Sequence, residues 1–409
     1  MYPVAPVPCE AVITLAEVES ARSRIATVIR PTPTGRSDAL SRLARRDVFL
    51  KPEHLQRTGS FKIRGAYNLV SRLEPGLAVV AASAGNHAQG VALAASLTGR
   101  RSTIFMPETA PLPKVEATRT YGAEVRLTGR AVEDCMEAAQ REAEHSGAVY
   151  VPPFDDPLVV AGQGTIGLEL AEEAAAAEVV VVPVGGGGLI AGVATALALV
   201  RPEVQVVGVQ AEGAAAVVRS VAAGRVVRID SLDTMADGIA VREPSELTLD
   251  HIRAHVDAML TVTEEEISQA LLLLVERAKA VVEPAGAVAL AALLAGKVTG
   301  TGPAVALLSG GNVDPLLLTK LIEHGLSAAG RYLVLRIVLE DRPGALATVT
   351  DAVARMGLNV LEVEHHRAGA HVAVDEVEVL LTLETRDPGH RDEVVATLRA
   401  QGYRVERYG

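Results

Sequence analysis

Residues 179–200 restrict the fold more than any other stretch, because they contain no charged side chain. The run is long enough to cross a bilayer as a helix. However, Pro183 and four consecutive glycines, at 185–188, lie inside it. They divide the run into a buried strand, a tight turn and a helix, which is typical of a parallel α/β core. We therefore predict a core element here and no membrane partner.

Short β-branched runs alternate with helix-forming segments along most of the chain. The predicted strands cover residues 48–50, 78–82, 102–106, 124–127, 179–184, 204–209 and 304–308. Predicted helices follow them, including one capped by Ser60 and one that begins near Asn86. A strand followed by a helix, many times over, implies a parallel sheet with helices on both faces. The predicted fold class is therefore α/β.

The pattern changes after residues 325–330. Predicted strands then cover residues 332–339, 360–366, 376–383 and 403–406, and predicted helices cover 344–356 and 391–401. This order is βαββαβ, a ferredoxin-like module of about the smallest size that a domain has. The chain therefore combines two architectures.

Composition limits the partners and the compartment. The chain has 409 residues, 49% hydrophobic content and a net charge of -11, which argues against nucleic acid as a partner. Its two cysteines, Cys9 and Cys135, cannot form a disulfide framework or a clustered metal site. Residues 2–6 look like a loose tail rather than a signal peptide. We expect a cytoplasmic protein.

Lys62 lies where structure alone explains a lysine poorly. Residues 57–59 are expected to turn and Ser60 to cap a helix, so Lys62 falls in the first helical turn. There the macrodipole is positive, which disfavours a cation and lowers the cost of losing a proton. An amine must lose that proton before it attacks an aldehyde. The alternative is an ordinary solvated lysine.

Residues 83–90 (SAGNHAQG) lie between a predicted strand and a helix. Backbone N–H groups at such a turn, with the Ser83 and Asn86 side chains, suit an anion such as a carboxylate. The alternative is a simple Gly-Asn turn. A serine–histidine nucleophile is rejected, because the segment lacks the Gly-x-Ser-x-Gly elbow.

Four consecutive glycines at 185–188 cost much backbone entropy, so we expect something to approach the backbone closely. A phosphate at the following helix N-terminus is the natural candidate. Gly186, Gly188 and Ala191 also fit a dinucleotide-binding pattern, with Glu212 as the ribose partner. That nicotinamide interpretation leaves the segments around Lys62 and Asn86 without a role. Residues 309–312 (SGGN) end another predicted strand and should reach the same sheet edge.

Together these segments resemble the fold-type II pyridoxal-phosphate enzymes, and among them the threonine dehydratases. The matching motifs are residues 51–66 (KPEHLQRTGSFKIRGA), 83–90, 162–167 (GQGTIG), 185–188, 236–240 (ADGIA), 283–287 (EPAGA) and 309–312. The likeness covers roughly residues 15–325, with His54 where the family usually has asparagine. Residues from Arg331 onward, with 341–346 (DRPGAL), resemble an ACT regulatory domain.

The resemblance implies two open, mostly parallel α/β subdomains plus the βαββαβ ACT domain. The implied boundaries are a catalytic domain at 1–325 with a smaller subdomain at 53–155, a linker at 326–330, and an ACT domain at 331–409. The implied cofactor is pyridoxal 5'-phosphate. The residues that would bind it are Lys62, Phe61, Asn86, Gly185, Gly186, Gly187, Gly188, Leu189 and Ser309. Those that would bind the substrate are Ser83, Gly85, Asn86, His87 and Gly238.

The resemblance also implies the reaction. Lys62 would bond to the cofactor aldehyde and later remove the substrate α-proton. Ser309 would face the pyridine nitrogen, and an uncharged serine cannot hold that nitrogen protonated as an aspartate would. This favours β-elimination, which gives a 2-oxo acid and ammonia, over transamination. Serine racemases of this family carry a serine where this chain has Ala84, so racemisation should be minor.

The same resemblance predicts no metal, because Gln210 and the alanines at 214–216 replace the acidic ligands of the racemases. In the ACT domain, an amino-acid effector would bind near Asp341, Gly344, Ala345, Leu346 and Asn359. Isoleucine would fit a biosynthetic role, and a purely stabilising or dimerising appendage is the alternative. We expect a homodimer or homotetramer.

The expected activity is dehydration and deamination of L-threonine, and also of L-serine. Two related enzymes remain open as alternatives, a serine dehydratase and a 3-hydroxyaspartate dehydratase. From a different class, the chain could be a catalytically silent amino-acid sensor, which the retained Lys62 disfavours.

Overall fold

The computed structural model describes residues 2–4, 13–367, 373 and 375–408. The chain separates into two compact units, Met1–Leu317 and Leu318–Gly409. Among the described residues, the strands are β1 (Tyr2–Pro3), β2 (Gly35–Arg36), β3 (Val48–Lys51), β4 (Val79–Ala82), β5 (Ser102–Met106), β6 (Glu124–Leu127), β7 (Val149–Tyr150), β8 (Val179–Pro183), β9 (Gln205–Ala211), β10 (Ala258–Val262), β11 (Ala304–Leu307), β12 (Tyr332–Glu340), β13 (Val360–His366), β14 (Glu376–Glu384) and β15 (Arg404–Arg407).

The α-helices of the same residues are α1 (Leu15–Ile25), α2 (Asp38–Ala44), α3 (Lys62–Val70), α4 (Asn86–Leu97), α5 (Leu112–Thr120), α6 (Val132–Ser146), α7 (Pro157–Glu173), α8 (Gly188–Val200), α9 (Ala216–Ala223), α10 (Glu246–His255), α11 (Glu264–Leu273), α12 (Pro284–Leu294), α13 (Pro315–Ala328), α14 (Ala345–Arg355) and α15 (Pro388–Ala400). A 3₁₀ turn at Asp237–Ile239 also contributes to the site.

The larger sheet of the first unit has the strand order β1-β10-β9-β8-β11-β3-β2. Its central strands are parallel, and β1 and β2 pair antiparallel at the two edges. Because β8, β11 and β3 are neighbours, the loops that follow them emerge side by side at the carboxyl edge. Those loops are residues 184–187, 308–314 and 52–61, which include three of the predicted motifs.

The smaller sheet of the same unit has the order β6-β5-β4-β7, and all its strands are parallel. Strand β4 leads through residues 83–85 into α4, so the SAGN segment also lies at a carboxyl edge. Glycines bring the surrounding helices close together. A Cβ on Gly65 of α3 would lie 2.7 Å from the Val159 carbonyl oxygen of α7, and one on Gly162 would lie 2.6 Å from the Gly65 Cα. These parallel sheets confirm the predicted α/β class.

In the second unit, β13-β14-β12-β15 form an antiparallel sheet, and the element order is βαββαβ as predicted. Alternate residues of β12 and β14 are buried, which is the period expected for a sheet with one face on the core. Leu335 and Leu381 are examples of this buried face. Helix α13 includes residues 326–328, which belong to the segment predicted to be a linker.

Some local predictions were wrong. The expected loose tail contains β1, because Tyr2 and Pro3 pair with Met259 and Ala258. Residues 5 and 6, like Cys9, lie outside the described residues. Strands β7 and β10 were not predicted. In the part of the chain that the structure describes, none of the helices is long and apolar enough to span a membrane.

Candidate active site

Helix α3 begins with Lys62, and residues 52–61 connect it to the carboxyl end of β3 in the large sheet. The expected cap at Ser60 was wrong by one residue, since Phe61 precedes the helix with a helical φ of -59°. Ser60 instead pairs with Gly310 in an isolated bridge. The Phe61 N–H donates to the Ser309 carbonyl oxygen at 3.2 Å. The start of α3 is therefore fixed by the loop that follows β11.

The Lys62 side chain is partly buried and has little polar support. Its Nζ donates to the Pro153 carbonyl oxygen at 2.8 Å and lies 5.3 Å from the centre of the Phe61 ring. Burial lowers the pKa of Lys62 from 10.5 to about 8, against the opposing effect of the Glu283 carboxylate. A Cβ on Gly90 of α4 would come within 3.3 Å of the Lys62 Cβ. The absence of that side chain lets α4 pack beside the lysine.

The glycine loop after β8 is shaped by an aromatic ring. A Cβ on Gly186 would lie 2.2 Å from the Phe154 ring, and one on Gly188 would lie 2.7 Å from the Phe154 Cβ. Gly187 has a φ of +97°, which favours glycine. The close approach that the sequence predicted is therefore partly made by the protein itself. Pro153 accepts the Lys62 hydrogen bond and the neighbouring Phe154 packs on the glycine loop, so these two consecutive residues contact both parts of the site.

The N-terminus of α8 remains suited to an anion. Helix geometry leaves the N–H groups of Gly188, Leu189 and Ile190 without acceptors inside the helix. The partial positive charge of the helix end adds to this preference. On the other side of the loop, the Thr248 hydroxyl donates to the Gly186 carbonyl oxygen at 2.7 Å. That bond gives the Gly186 carbonyl oxygen a donor within the protein.

The loop of residues 83–87 combines open space with a neutral histidine. The Gly85 N–H donates to Ser83 Oγ at 3.1 Å, and a Cβ on Gly85 would meet nothing within 4 Å. His87 is buried, and its Nε2 lies 2.8 Å from the Val151 carbonyl oxygen. Because a carbonyl only accepts, Nε2 carries the proton. Burial, with the nearby Lys62 charge, lowers the pKa of His87 to about 3.

Asn86 belongs to a polar cluster that sequence reasoning did not identify. Its Nδ2 donates to Glu283 Oε1 at 2.6 Å, and its Oδ1 accepts from Asn312 Nδ2 at 2.7 Å. Asn312 Nδ2 also lies 2.7 Å from the Thr58 carbonyl oxygen. Glu283 is 3% exposed, and burial, followed by the Asp237 charge, raises its pKa to about 7. Gly238 packs against the same group, since its Cβ would lie 3.4 Å from Glu283 Oε1.

Two signals could have identified these residues in the sequence. Glu283 is the acidic residue of a motif that was recognised but given no role, at the edge of an apolar helix. Asn312 directly follows the Ser-Gly-Gly of another motif. Phe154 is one of only four phenylalanines in the sequence, but nothing in its neighbours predicts the contact with the glycine loop.

Ser309 lies in the loop that follows β11. The residue is 4% exposed, and its backbone carbonyl oxygen accepts from the Phe61 N–H at 3.2 Å. A Cβ on the next residue, Gly310, would lie 2.3 Å from Glu283 Oε1 and 2.9 Å from Asn86 Nδ2. The structure therefore brings the loops of Lys62, Asn86, Ser309 and Gly238 around Glu283.

Gln210, which replaces an acidic metal ligand of the racemases, lies in the first unit, and the predicted effector residues lie in the second unit. Gln210 donates to the Val184 carbonyl oxygen and accepts from the Val218 N–H, so its side chain is used within the fold. Within residues 2–4, 13–367, 373 and 375–408, no group of three or more histidine, cysteine or acidic side chains could hold a metal.

In the second unit, a pocket of about 320 Å³ is lined by residues that include Asp341, Gly344, Ala345 and Leu346. Asn359 is not among the lining residues, and its backbone carbonyl accepts from the Glu384 N–H at 3.0 Å. The structure therefore groups all the predicted effector residues except Asn359.

The donor set of the first unit fits pyridoxal phosphate. An amine with a lowered pKa suits an aldehyde, and the α8 N-terminus suits a phosphate. The buried Ser309 hydroxyl suits a ring nitrogen, and the open space beside Gly85 leaves room for a ligand. These groups fit a ligand that has both an aldehyde and a phosphate. A dinucleotide fits them less well, because it would leave the Lys62 amine without a role.

Comparisons with known proteins agree with this fit. A family model described as "Pyridoxal-phosphate dependent enzyme" matches residues 25–310, and one described as "ACT domain" matches residues 333–402. L-threonine ammonia-lyase of Thermotoga maritima is 47% identical over 401 residues, which are 97% of this chain and 100% of that protein. L-threonine ammonia-lyase of Geobacter sulfurreducens is 46% identical over 393 residues, covering 95% of this chain and 98% of that protein.

Solved structures of similar proteins point the same way. Threonine deaminase isoform 2 of Solanum lycopersicum, in its processed form, aligns with a TM-score of 0.73 at 35% identity, covering 79% of this chain and 96% of that one. Maize serine racemase aligns with a TM-score of 0.73 at 33% identity, covering 78% and 99%. The chain thus belongs to the pyridoxal-phosphate-dependent enzymes, in the branch that carries a C-terminal ACT domain.

Proposed function

We propose that this chain is a threonine ammonia-lyase, which converts L-threonine to 2-oxobutanoate and ammonia and also converts L-serine to pyruvate. The observation that carries the proposal is the Lys62 amine, whose pKa is about 8 and which donates to the Pro153 carbonyl oxygen, while the neighbouring Phe154 packs on the glycine loop that leads into α8. The names of the relatives, at 46% and 47% identity over nearly the whole chain, support threonine as the substrate.

When bound, pyridoxal phosphate supplies an aldehyde for amino groups and a ring that withdraws electrons from the substrate α-carbon. Lys62 is the amine that would hold the aldehyde. The N–H groups of Gly188 and Leu189 would hold the phosphate at the α8 N-terminus, and Phe61 lines the site next to the lysine. Ser309 Oγ would donate to, or accept from, the ring nitrogen, and the Asn86 amide would meet the ring hydroxyl.

Lys62 is suited to remove the α-proton. An amine with a pKa of about 8 is partly neutral near neutral pH, whereas an ordinary lysine is almost fully charged. The substrate carboxylate would lie in the open space beside Gly85, where Ser83 and backbone N–H groups are available as donors. His87 stays neutral and hydrogen-bonded to the Val151 carbonyl oxygen. It therefore adds no positive charge to the loop that would receive the substrate carboxylate, and its role there is packing.

Two neutral residues, Ser309 and Ala84, favour elimination over other outcomes. Ser309 cannot stabilise a charge on the ring nitrogen, which weakens the electron sink that transamination requires. Ala84 carries no group that could return a proton to the opposite face of the α-carbon. We therefore expect release of 2-oxo acid and little racemisation.

Steady-state kinetics test this proposal directly. Threonine, serine and 3-hydroxyaspartate are supplied separately, and the 2-oxo acid and ammonia are measured. Lys62→Ala should lower kcat by about 10³-fold or more and abolish the cofactor's covalent attachment, while the protein stays folded. Absence of 2-oxo acid from all three hydroxy amino acids would exclude a dehydratase and favour the amino-acid sensor.

We also propose that the ACT domain binds an amino acid at the pocket of Asp341, Gly344, Ala345 and Leu346. Isoleucine is the first ligand to test, because it would fit a biosynthetic role of the enzyme, and valine is the comparison. Asp341→Ala in the full chain should weaken isoleucine binding about tenfold in calorimetry, since a carboxylate suits the ligand's ammonium. Unchanged binding in that variant would place the effector elsewhere.

A homodimer or homotetramer in the cytoplasm completes the proposal. The edge strand β13 exposes Leu361 and Val363, and an exposed apolar edge is a common pairing site between copies. Cys135 is a free buried thiol, which agrees with a reducing compartment. Light scattering on the full chain, repeated with Leu361→Lys, should show a shift to a smaller species; a wild-type monomer would contradict the assembly.

A further inference from the structure

The Asn86 side chain is held in one orientation by the groups on either side of it. Its amide nitrogen faces Glu283 Oε1 at 2.6 Å, and its amide oxygen faces Asn312 Nδ2 at 2.7 Å. A flipped amide would place two oxygens together at Glu283 and two nitrogens together at Asn312. Since both contacts would then be repulsive, Glu283 and Asn312 together select the orientation.

Glu283 is itself placed with little freedom. It precedes α12 as the N-terminal cap residue, and its backbone N–H donates to the Gly310 carbonyl oxygen at 3.0 Å. The Cβ positions of Gly238 and Gly310 lie against its carboxyl group, so larger residues at either position would displace it. The carboxyl is thus an enclosed part of the site and not a surface charge.

The charged groups around Glu283 come from several elements. Asp237 in the 3₁₀ turn repels its negative charge, whereas Lys114 of α5 and the Asn86 amide favour it. The Glu283 charge also favours the protonated form of Lys62 of α3, and so opposes the effect of burial on the lysine's pKa. Burial has the largest effect on Glu283 and, with Asp237, raises its pKa to about 7. Both protonation states are therefore accessible near neutral pH.

We propose that Glu283 is a positioning residue for the cofactor: it orients the Asn86 amide toward the ring, and its negative charge acts on the nitrogen at Lys62. The proposal rests on the proposed placement of the cofactor at Lys62. It assigns two separable tasks to one carboxyl group. Orientation needs an acceptor at Oε1, which a glutamine also provides, whereas the effect on the nitrogen needs the negative charge.

Two substitutions separate these tasks. Glu283→Gln keeps an amide oxygen for Asn86 and removes the charge, while Glu283→Ala removes both. Glu266→Gln is the matched control. Glu266 lies on α11 and pairs with Lys297 at 2.6 Å, and among the described residues it makes no hydrogen bond to the site loops named above. Each variant is prepared cofactor-free and titrated with pyridoxal phosphate. The absorbance of the bound cofactor gives its dissociation constant and the pH midpoint at which the nitrogen bonded to it at Lys62 loses its proton. Borohydride reduction followed by mass spectrometry reports the covalent bond at Lys62.

Glu283→Gln should bind the cofactor within about threefold of wild type and shift the absorbance midpoint down by about half a pH unit or more, because a nearby anion favours the protonated nitrogen. Glu283→Ala should weaken binding about tenfold or more, because Asn86 loses its partner. Glu266→Gln should match wild type. If Glu283→Ala fails to fold, the midpoint of Glu283→Gln still decides.

An unmoved midpoint in Glu283→Gln, or wild-type affinity in Glu283→Ala, would overturn the proposal. Failure of the cofactor placement looks different, since borohydride would then leave Lys62 unmodified in the wild-type protein. The two hypotheses are thereby tested by separate readouts.

Discussion

Lys62 and Arg64 lie two positions apart at the start of α3, but their surroundings are opposite. Arg64 is fully buried and forms a bidentate pair with Glu53, with donor–acceptor distances of 2.8 and 2.7 Å. It also donates to Glu169 at 2.6 Å. Lys62 forms no ion pair with any carboxylate in the described residues and donates only to a carbonyl.

Their pKa values move in opposite directions for that reason. Burial alone would lower the pKa of the Arg64 guanidinium, but Glu53 and Glu169 outweigh it and raise the pKa. For Lys62 burial dominates and the pKa falls to about 8. Lys51 extends the Arg64 network by pairing with Glu169 at 2.7 Å. The start of α3 thus carries two cations in different settings. Arg64 is held in a buried ionic network, whereas the Lys62 amine has no carboxylate partner among the described residues and can lose its proton more readily.

The largest expected effect comes from opening the closed network. Arg64→Met would leave Glu53 buried without its cation, and Glu169 would keep only Lys51. We expect a loss of about 3–5 kcal/mol in the free energy of unfolding, measured by urea denaturation of the cofactor-free protein. Arg64→Lys should lose less, because it keeps the charge but not the bidentate geometry.

The matched control for this prediction is Arg22→Met. Arg22 pairs bidentately with Glu172 at 2.6 Å, but about half of each side chain is exposed. Exposed pairs contribute about 0–1 kcal/mol, so the control should be nearly neutral. Equal losses in the two variants would mean that burial of the Arg64 network has no special energetic consequence.

A smaller effect should appear in the pH dependence of stability. The folded-state pKa of Lys62, about 8, lies below its ordinary value of 10.5, so the folded protein binds fewer protons than the unfolded chain between those values. The wild-type cofactor-free protein should therefore gain about 2 kcal/mol relative to Lys62→Met between about pH 7.5 and 9.5. Denaturant unfolding at several pH values measures this difference.

The control for the pH series is Lys62→Arg, whose guanidinium does not titrate in this range. Its stability relative to Lys62→Met should stay constant as the pH rises. A wild-type curve that is equally flat would show that Lys62 has an ordinary pKa in the folded protein.

This contrast also explains what the sequence could and could not predict. Strand–helix alternation and the glycine-rich turns predicted the α/β class, the βαββαβ module and the loops of Lys62 and Asn86, because these signals are local. The partners of Lys62 were not predictable in that way. Pro153 is 91 positions away and Glu283 is 197 positions from Asn86, so only the folded topology brings them together.

The macrodipole argument for Lys62 gave the right direction but not the main cause. Burial is the largest contribution to its lowered pKa, and burial depends on how α4 packs at Gly90 and where Pro153 lies. Likewise, the glycines at 185–188 suggested a ligand, whereas Phe154 accounts for the space beside two of them. Packing between distant segments decides such details.

The smallest expected effect concerns His87, the other titratable group beside Lys62. Burial and the lysine charge lower the pKa of His87 to about 3, and its Nε2–H is held by the Val151 carbonyl oxygen. Its imidazole should therefore remain neutral, in one tautomer, throughout the range in which the enzyme works. Nitrogen-15 NMR of histidine-labelled protein, with His87→Gln to assign the signal, should show no change at this residue between about pH 5 and 9. A titration midpoint within that range would mean that the His87 imidazole becomes charged beside the substrate loop. His87 would then join Lys62 as a group near α3 that changes its charge in the working pH range.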